Sequence, residues 1–267
     1  MEKPYRSPGG SYFRNISAGI SGRLPVNAVD GGARFGYHRQ EHPVYCGGRR
    51  ICVYQAVIFD MDGVLTDSES LGVRVIRQAG SEMGYDIPEE LVLSTLGRTF
   101  DDSRQLYLRV FPDMDVRALF DRFGEMMISL AREGRVPLKP GVHEILDTLD
   151  ALDIRRAVAS SSGPNAINAY LTGAGILDRF DAVVSGRDCR RSKPAPDIFL
   201  LAAERLQADP SRCLVIEDSP SGVRAGRAAG MTVCMVPDLI PFEESLAPCC
   251  DFVLPGLSAA AERLRHG

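Results

Sequence analysis

The sequence predicts an α/β fold in which a parallel sheet carries an all-helical insertion after its first strand. Two observations lead there. Short apolar, β-branched runs of strand length recur from residue 154 onward, separated by helical patterns of 10–15 residues, the spacing of βαβ units. Ahead of them lies one further strand-like run, and between it and the rest the stretch 67–139 reads as helix throughout.

The first strand is VYQAVIF (53–59), whose length and Val/Ile content suit a strand buried on both faces. Helical patterns follow at 68–84, where Ser68 and Glu69 open the segment and Gly84 closes it, and at 88–97, opened by Pro88 and closed by Gly97. A third at 115–134 sets Leu119, Phe120, Phe123, Met127 and Leu130 on one face, a stripe that serves helix packing. VPLKPG (136–141) is a Pro/Gly-marked joint, after which strand–helix alternation begins. Helices are expected at 141–152, 163–175, 196–206 and 220–230. Strands are expected at 154–160, 181–185, 212–218, 231–237 and 250–255. The helical stretch 67–139 is a lid candidate. In 220–230, Gly222, Gly226 and Gly230 imitate a membrane-helix packing motif. Arg224 and Arg227 in the same turns defeat that reading, and close helix–sheet packing accounts for the glycines.

Composition narrows the class. Of 267 residues, 45% are hydrophobic and 25% charged, which suits one domain or a core with a sizeable insertion. A net charge of −4 disfavours nucleic acid as a partner. No apolar run approaches the roughly 18 residues of a membrane span, so no membrane partner is expected. Seven cysteines, an odd number without a CxxC pair, fit a reduced, cytoplasmic protein with free thiols. Residues 1–50 differ: they are rich in Gly, Pro, Ser and Arg, have eight Lys/Arg against three acids, and show no periodic apolar face. A disordered tail is the expectation. An organelle transit peptide and a start codon lying too far upstream stay open as alternatives, whereas a secretory signal lacks its apolar stretch.

In an open parallel sheet, ligands bind outside the carboxyl ends of the strands. The first strand ends in Asp60-Met61-Asp62-Gly63, and the strand at 154–160 ends in Ser160, followed by Ser161 and Ser162. Lys193 follows the 181–185 strand, and the strand at 212–218 ends in Glu217-Asp218. Taken singly, each residue reads as a cap, a turn or a solvated side chain. A calcium loop is excluded for Asp60 and Asp62, because Gly63 comes too early. Their conjunction at strand exits is what points to chemistry. Four carboxylates in one crevice repel, roughly 4 kcal/mol for each pair about 4 Å apart at an effective dielectric near 20. They call for a cation, and all-oxygen donors without His or Cys select Mg²⁺ over zinc. A cation beside Lys193, the Ser160 hydroxyl and the amides at the start of the Gly163-Pro164 helix suits phosphate, and Ser161 is grouped with these binders. The chemistry suggested makes Asp60 the nucleophile toward phosphorus and Asp62 the acid and then base, with Gly63 leaving room for phosphate against the backbone. Two-residue spacing aims both carboxylates the same way if the chain stays extended.

The motifs FDMDGVLTDSE (59–69), AVASSSG (157–163), SKPAPDIF (192–199) and LVIEDSPSGVRAGRAAGM (214–231) together resemble the haloacid dehalogenase-like hydrolase superfamily. Within it they resemble the β-phosphoglucomutase and sugar-phosphate phosphatase group. The resemblance covers about 54–256. It implies a Rossmann-like core with a mobile helical cap, and a Mg²⁺ held by Asp60, the Asp62 main-chain carbonyl, Asp218 and Glu217. Dehalogenation is disfavoured, because dehalogenating members lack the second acid that Asp62 provides. Phosphonatase activity is excluded, because residues 67–135 contain no lysine. The mutases of the group have a cap histidine and a cap arginine where this chain has Gly72 and Phe100. Hydrolysis of a small phosphorylated metabolite, a sugar phosphate, is therefore expected, ahead of hexose-phosphate mutation and of a non-catalytic binding module. Arg98, in LGRTFDD, is the candidate for touching substrate from the cap.

Overall fold

The computed structural model describes residues 54–266, together with the backbone of 44–46 and 49–51. There β1 (Val44–Cys46) pairs antiparallel with β2 (Arg49–Ile51). The tail expected over 1–50 lies outside the described residues except at these positions, where a strand pair replaces the expected disorder.

Six strands form one parallel sheet in the order β5-β4-β3-β6-β7-β8. They are β3 (Ala56–Phe59), β4 (Arg155–Ser160), β5 (Ala182–Ser185), β6 (Cys213–Glu217), β7 (Thr232–Met235) and β8 (Phe252–Val253). β3 lies between β4 and β6, with Phe59 in register with Val158 and Ile216, and all four of its residues are fully buried. A strand covered on both faces needs apolar side chains at every position, so AVIF does not alternate. Because all six strands run the same way, the segments that follow β3, β4, β5 and β6 emerge on one rim.

Helices α1 (Ser68–Glu82), α2 (Glu89–Leu93), α3 (Phe100–Val110) and α4 (Val116–Arg132) occupy the insertion. Helices α5 (Val142–Ala151), α6 (Pro164–Gly173), α7 (Asp197–Arg205), α8 (Pro220–Ala228) and α9 (Leu257–His266) flank the sheet. The chain is thus Rossmann-like with an inserted helical cap. Two helices escape the apolar-face pattern, α3 and α9. Helix α3 is mostly polar and buries only Ser103 and Tyr107; its visible signal is Thr99, whose hydroxyl caps the Asp102 amide. In α9 the buried positions are Leu257, Ala260, Ala261 and Leu264, and alanines give a weak stripe. Helix α2 stops at Leu93, short of Gly97, and continues as turns.

The cap has its own apolar cluster, including Val73, Ile76, Tyr107 and Leu119. A second contact surface joins it to the core, where Val75, Met127 and Ala131 pack with Ile145, Ile167 and Tyr170. The two joints of the cap run side by side: the Asp67 amide donates to Pro137 O at 2.8 Å, and the Lys139 amide to Leu65 O at 2.9 Å. Among the described residues no helix is long and apolar enough to cross a membrane. The five described cysteines, Cys189, Cys213, Cys234, Cys249 and Cys250, are free thiols.

Candidate active site

β3 ends at Phe59, one residue before the first carboxylate. The chain then turns: Leu65 and Thr66 both donate to Met61 O, and Gly63 N donates to Thr66 O. The orientation of Asp60 and Asp62 is therefore set by a tight loop, not by strand alternation as the extended spacing had suggested. The loop sends the two side chains to different partners.

Asp60, 8% exposed, forms an ion pair with Lys193. The Lys193 side chain, 5% exposed, spends its three protons on Asp60, on Ala159 O at 3.1 Å and on Glu217 Oε1 at 2.7 Å. Its stem lies against Phe199, with Nζ 4.9 Å from the ring centroid. Burial disfavours the ammonium, but Asp60 and Glu217 outweigh it and hold its pKa above the ordinary lysine value. Burial pushes the Asp60 carboxyl the other way, up to about 7, because the charges of Glu217 and Asp62 add to desolvation and Lys193 only partly offsets them.

Asp62 meets hydroxyls. Ser68 Oγ donates to its Oδ1 at 2.7 Å, and Ser162 Oγ to its Oδ2 at 3.0 Å. Ser160, fully buried, lies 3.5 Å from Oδ2 while accepting the Ser162 amide at 3.1 Å. The expected phosphate hydroxyl is thus turned toward the second acid. Ser161 is exposed, and it is Ser162 that reaches the site.

Three further expected site residues have surroundings that differ in detail from those expected. Glu217 was expected among the metal ligands. Its Oε1 is taken by Lys193, and its Oε2 accepts the Asp218 amide, the Ser219 amide and the Ser219 hydroxyl, each at 2.9 Å. A fully buried carboxylate with that many donors has little capacity left for a cation. Gly222 makes the arrangement possible, since a Cβ there would lie 1.6 Å from Glu217 Oε1. Gly63 was expected to leave room for phosphate, but its space is taken by a carboxylate. Its φ is +79°, and a Cβ would lie 2.2 Å from Asp218 Oδ2. Arg98 is not brought to the rim; it is exposed, and its Nε donates to Ser94 O at 2.7 Å.

Asp218, 4% exposed, receives no hydrogen bond from another side chain among the described residues, and burial raises its pKa well above the carboxylate range. It stands with two acids that the strand-end argument passed over, Glu69 and Asp238; one oxygen from each of the three lies within 4.8 Å of the others. Glu69 had been read only as a helix start. Asp238 lies just beyond the exit of β7. Such an oxygen cluster fits the donor chemistry of a divalent cation such as Mg²⁺, with Asp60 and the Asp62 carbonyl at the neighbouring strand exit. A cavity of about 440 Å³ opens between Leu93, Leu96 and Gly97 of the cap and Ser221, Arg224 and Ile240 of the core, and its lining includes Leu239, the residue after Asp238.

Residues 57–236 match the family described as haloacid dehalogenase-like hydrolase. The chain belongs to this family. Hexitol phosphatase B of Escherichia coli is 35% identical over 185 residues, which span 68% of this chain and 83% of that protein. Fructose-1-phosphate phosphatase of the same organism is 32% identical over 182 residues, 67% of this chain and 94% of the relative. Among solved structures, CbbY from Rhodobacter sphaeroides in complex with phosphate superposes with a TM-score of 0.63 at 26% identity, covering 77% of this chain and 95% of that one. This haloacid dehalogenase-like chain therefore shares its fold with CbbY and about two thirds of its length with proteins named hexitol phosphatase and fructose-1-phosphate phosphatase.

Proposed function

We propose that this hydrolase is a Mg²⁺-dependent phosphatase that cleaves a small phosphorylated metabolite, a sugar phosphate, through an aspartyl-phosphate on Asp60. The observation that carries the reading is the division of labour between the two loop carboxylates. Asp60 is held by the Lys193 ammonium, where a phosphoryl group would meet a positive charge. Asp62 is held by hydroxyls alone, and neutral donors leave it free to exchange a proton.

Asp60 Oδ forms a bond to phosphorus as the bond to the leaving oxygen breaks, and Asp62 delivers its proton to that oxygen, so an alcohol departs. Asp62, now a carboxylate, takes a proton from water as the water oxygen attacks phosphorus. The acyl-phosphate bond breaks, which returns Asp60 as a carboxylate and releases inorganic phosphate. The Gly163 amide before α6 is a donor toward the phosphoryl oxygens, and the Lys193 ammonium supplies positive charge beside them. A divalent cation at Asp60, the Asp62 carbonyl and Asp218 would supply charge neutralisation between carboxylates and phosphate. The cavity between cap and core is the space for the alcohol, and Ser221 and Arg224 are the polar side chains along its wall. Arg224 thereby takes the recognition role expected of Arg98.

The test is phosphate release from a panel of sugar, sugar-alcohol and nucleotide monophosphates, with Mg²⁺ or with EDTA, beside Asp60→Asn. Turnover should require Mg²⁺ and fall by on the order of 10⁴ or more in Asp60→Asn. Release that survives the substitution or ignores EDTA overturns the mechanism. Interconversion of glucose 1- and 6-phosphates with a bisphosphate primer, without net phosphate release, replaces the phosphatase by a mutase.

A further inference from the structure

Asp238 faces two ways. Its Oδ1 accepts from Lys139 Nζ at 2.5 Å, while its Oδ2 is buried and has no hydrogen-bond partner. That Oδ2 points to Gly63, whose Cβ position it would approach to 3.3 Å, beside Asp218 Oδ2. The Asp238 side chain is only 10% exposed, so no bulk water compensates the bare oxygen. Glu69 repeats the pattern from the first turn of α1, with a buried, unpartnered Oε2. Desolvation, followed by the charges of Asp238 and Asp62, pushes its carboxyl up to about 7. A buried acceptor left without a donor is destabilising, and here two such acids converge with Asp218. Lys139 sits at the cap's second joint and also lies 3.7 Å from Asp67 at the first. One lysine thus ties both joints to the acid that borders the cluster.

We infer that Glu69 and Asp238 form the outer wall of the divalent-cation site around Asp218, and that Asp238 links occupancy of that site to the cap joint through Lys139. This rests on the Mg²⁺-dependent reading above and adds to it two acidic residues and a coupling. Two oxygens of one carboxylate serve two cations, the metal on Oδ2 and the ammonium on Oδ1. Each positive charge lowers the carboxylate's attraction for the other. The cation is therefore held more tightly when Lys139 lets go, and a bound cation loosens the lysine that ties the joints.

The experiment is direct binding of Mn²⁺, followed by its paramagnetic signal and by titration calorimetry, to the full chain and to Glu69→Gln, Asp238→Asn and Lys139→Met. Thermal melts in EDTA establish that each variant is folded. Glu69→Gln and Asp238→Asn should each weaken Mn²⁺ by about 10–100-fold, the usual loss when groups that support a metal's ligands are removed. Lys139→Met should tighten it several-fold, a change of sign that general damage to the fold does not produce. Unchanged affinity in the two acid variants, or weaker binding in Lys139→Met, overturns the inference and leaves the phosphatase reading standing. A native chain that binds no Mn²⁺ overturns both.

Discussion

The rim of the sheet holds two groups of carboxylates in opposite conditions. Around Lys193 the donors and acceptors are matched: the ammonium has three acceptors, and Glu217 has Lys193 on one oxygen and three donors on the other. Beside Asp218, Glu69 Oε2 and Asp238 Oδ2 are buried without a hydrogen bond. Both groups lie at ends of the same sheet, so burial alone does not separate them. A completed polar network fixes geometry and is part of the fold; an incomplete one stores repulsion that a cation relieves. The inner group is read as framework and phosphate anchor, the outer as the place for the metal.

The largest expected effect tests the inner group. Glu217→Gln removes the second negative partner of a buried lysine and turns an amide toward two backbone donors. Unfolding by urea in EDTA should show a loss on the order of 3 kcal/mol. A native-like stability would mean that Glu217 is free for another role, such as the metal ligation first expected of it. Next comes Gly63→Ala, at a positive φ and in the path of Asp218. It should cost about 1–3 kcal/mol and weaken Mn²⁺ binding; if calorimetry finds the cation bound as before, Asp218 is not held where its role needs it.

pH sharpens the outer group. Asp60 and Glu69 are raised to about 7, so below that pH these two hold protons that a cation must displace, and burial moves Asp218 in the same direction. As pH climbs through about 7 the protons leave and cation affinity rises. The rise in melting temperature on adding Mg²⁺ should be large at pH 8 and small at pH 5.5, and a shift of equal size at both would break the assignment. The smallest effect belongs to Arg98→Ala. With its guanidinium on Ser94 O, kcat/KM should stay within about twofold and stability within about 0.5 kcal/mol, measured beside Arg224→Ala as the informative partner.

Much of this was legible without coordinates, for identifiable reasons. The runs AVIF, RRAVAS, AVVS and CLVIE announce buried strands because a sheet covered on both faces admits little else. Asp60, Asp62, Lys193 and Asp218 follow from asking what stands at the exits. Glu69 was hidden because an acid in the first turn of a helix has an ordinary explanation in the helix dipole. Asp238 was hidden because it follows Pro237 in the loop beyond the strand rather than standing at the strand's last position. Helix α3 was hidden because its buried face is two residues wide.

What the order of amino acids determined is the inventory: parallel strands, a helical insertion after the first, and acids, hydroxyls and one lysine delivered to a common rim. What tertiary structure decided is which oxygen meets which partner. The turn at 61–66 separates Asp60 from Asp62, Gly222 lets Glu217 reach under Lys193, and Lys139 finds Asp238 across 99 residues of chain. Pairings of that kind depend on ångström-scale placement of side chains from distant segments, which local pattern does not encode. The carboxylate oxygens left bare once those contacts form include Glu69 Oε2 and Asp238 Oδ2, and both residues cluster with Asp218.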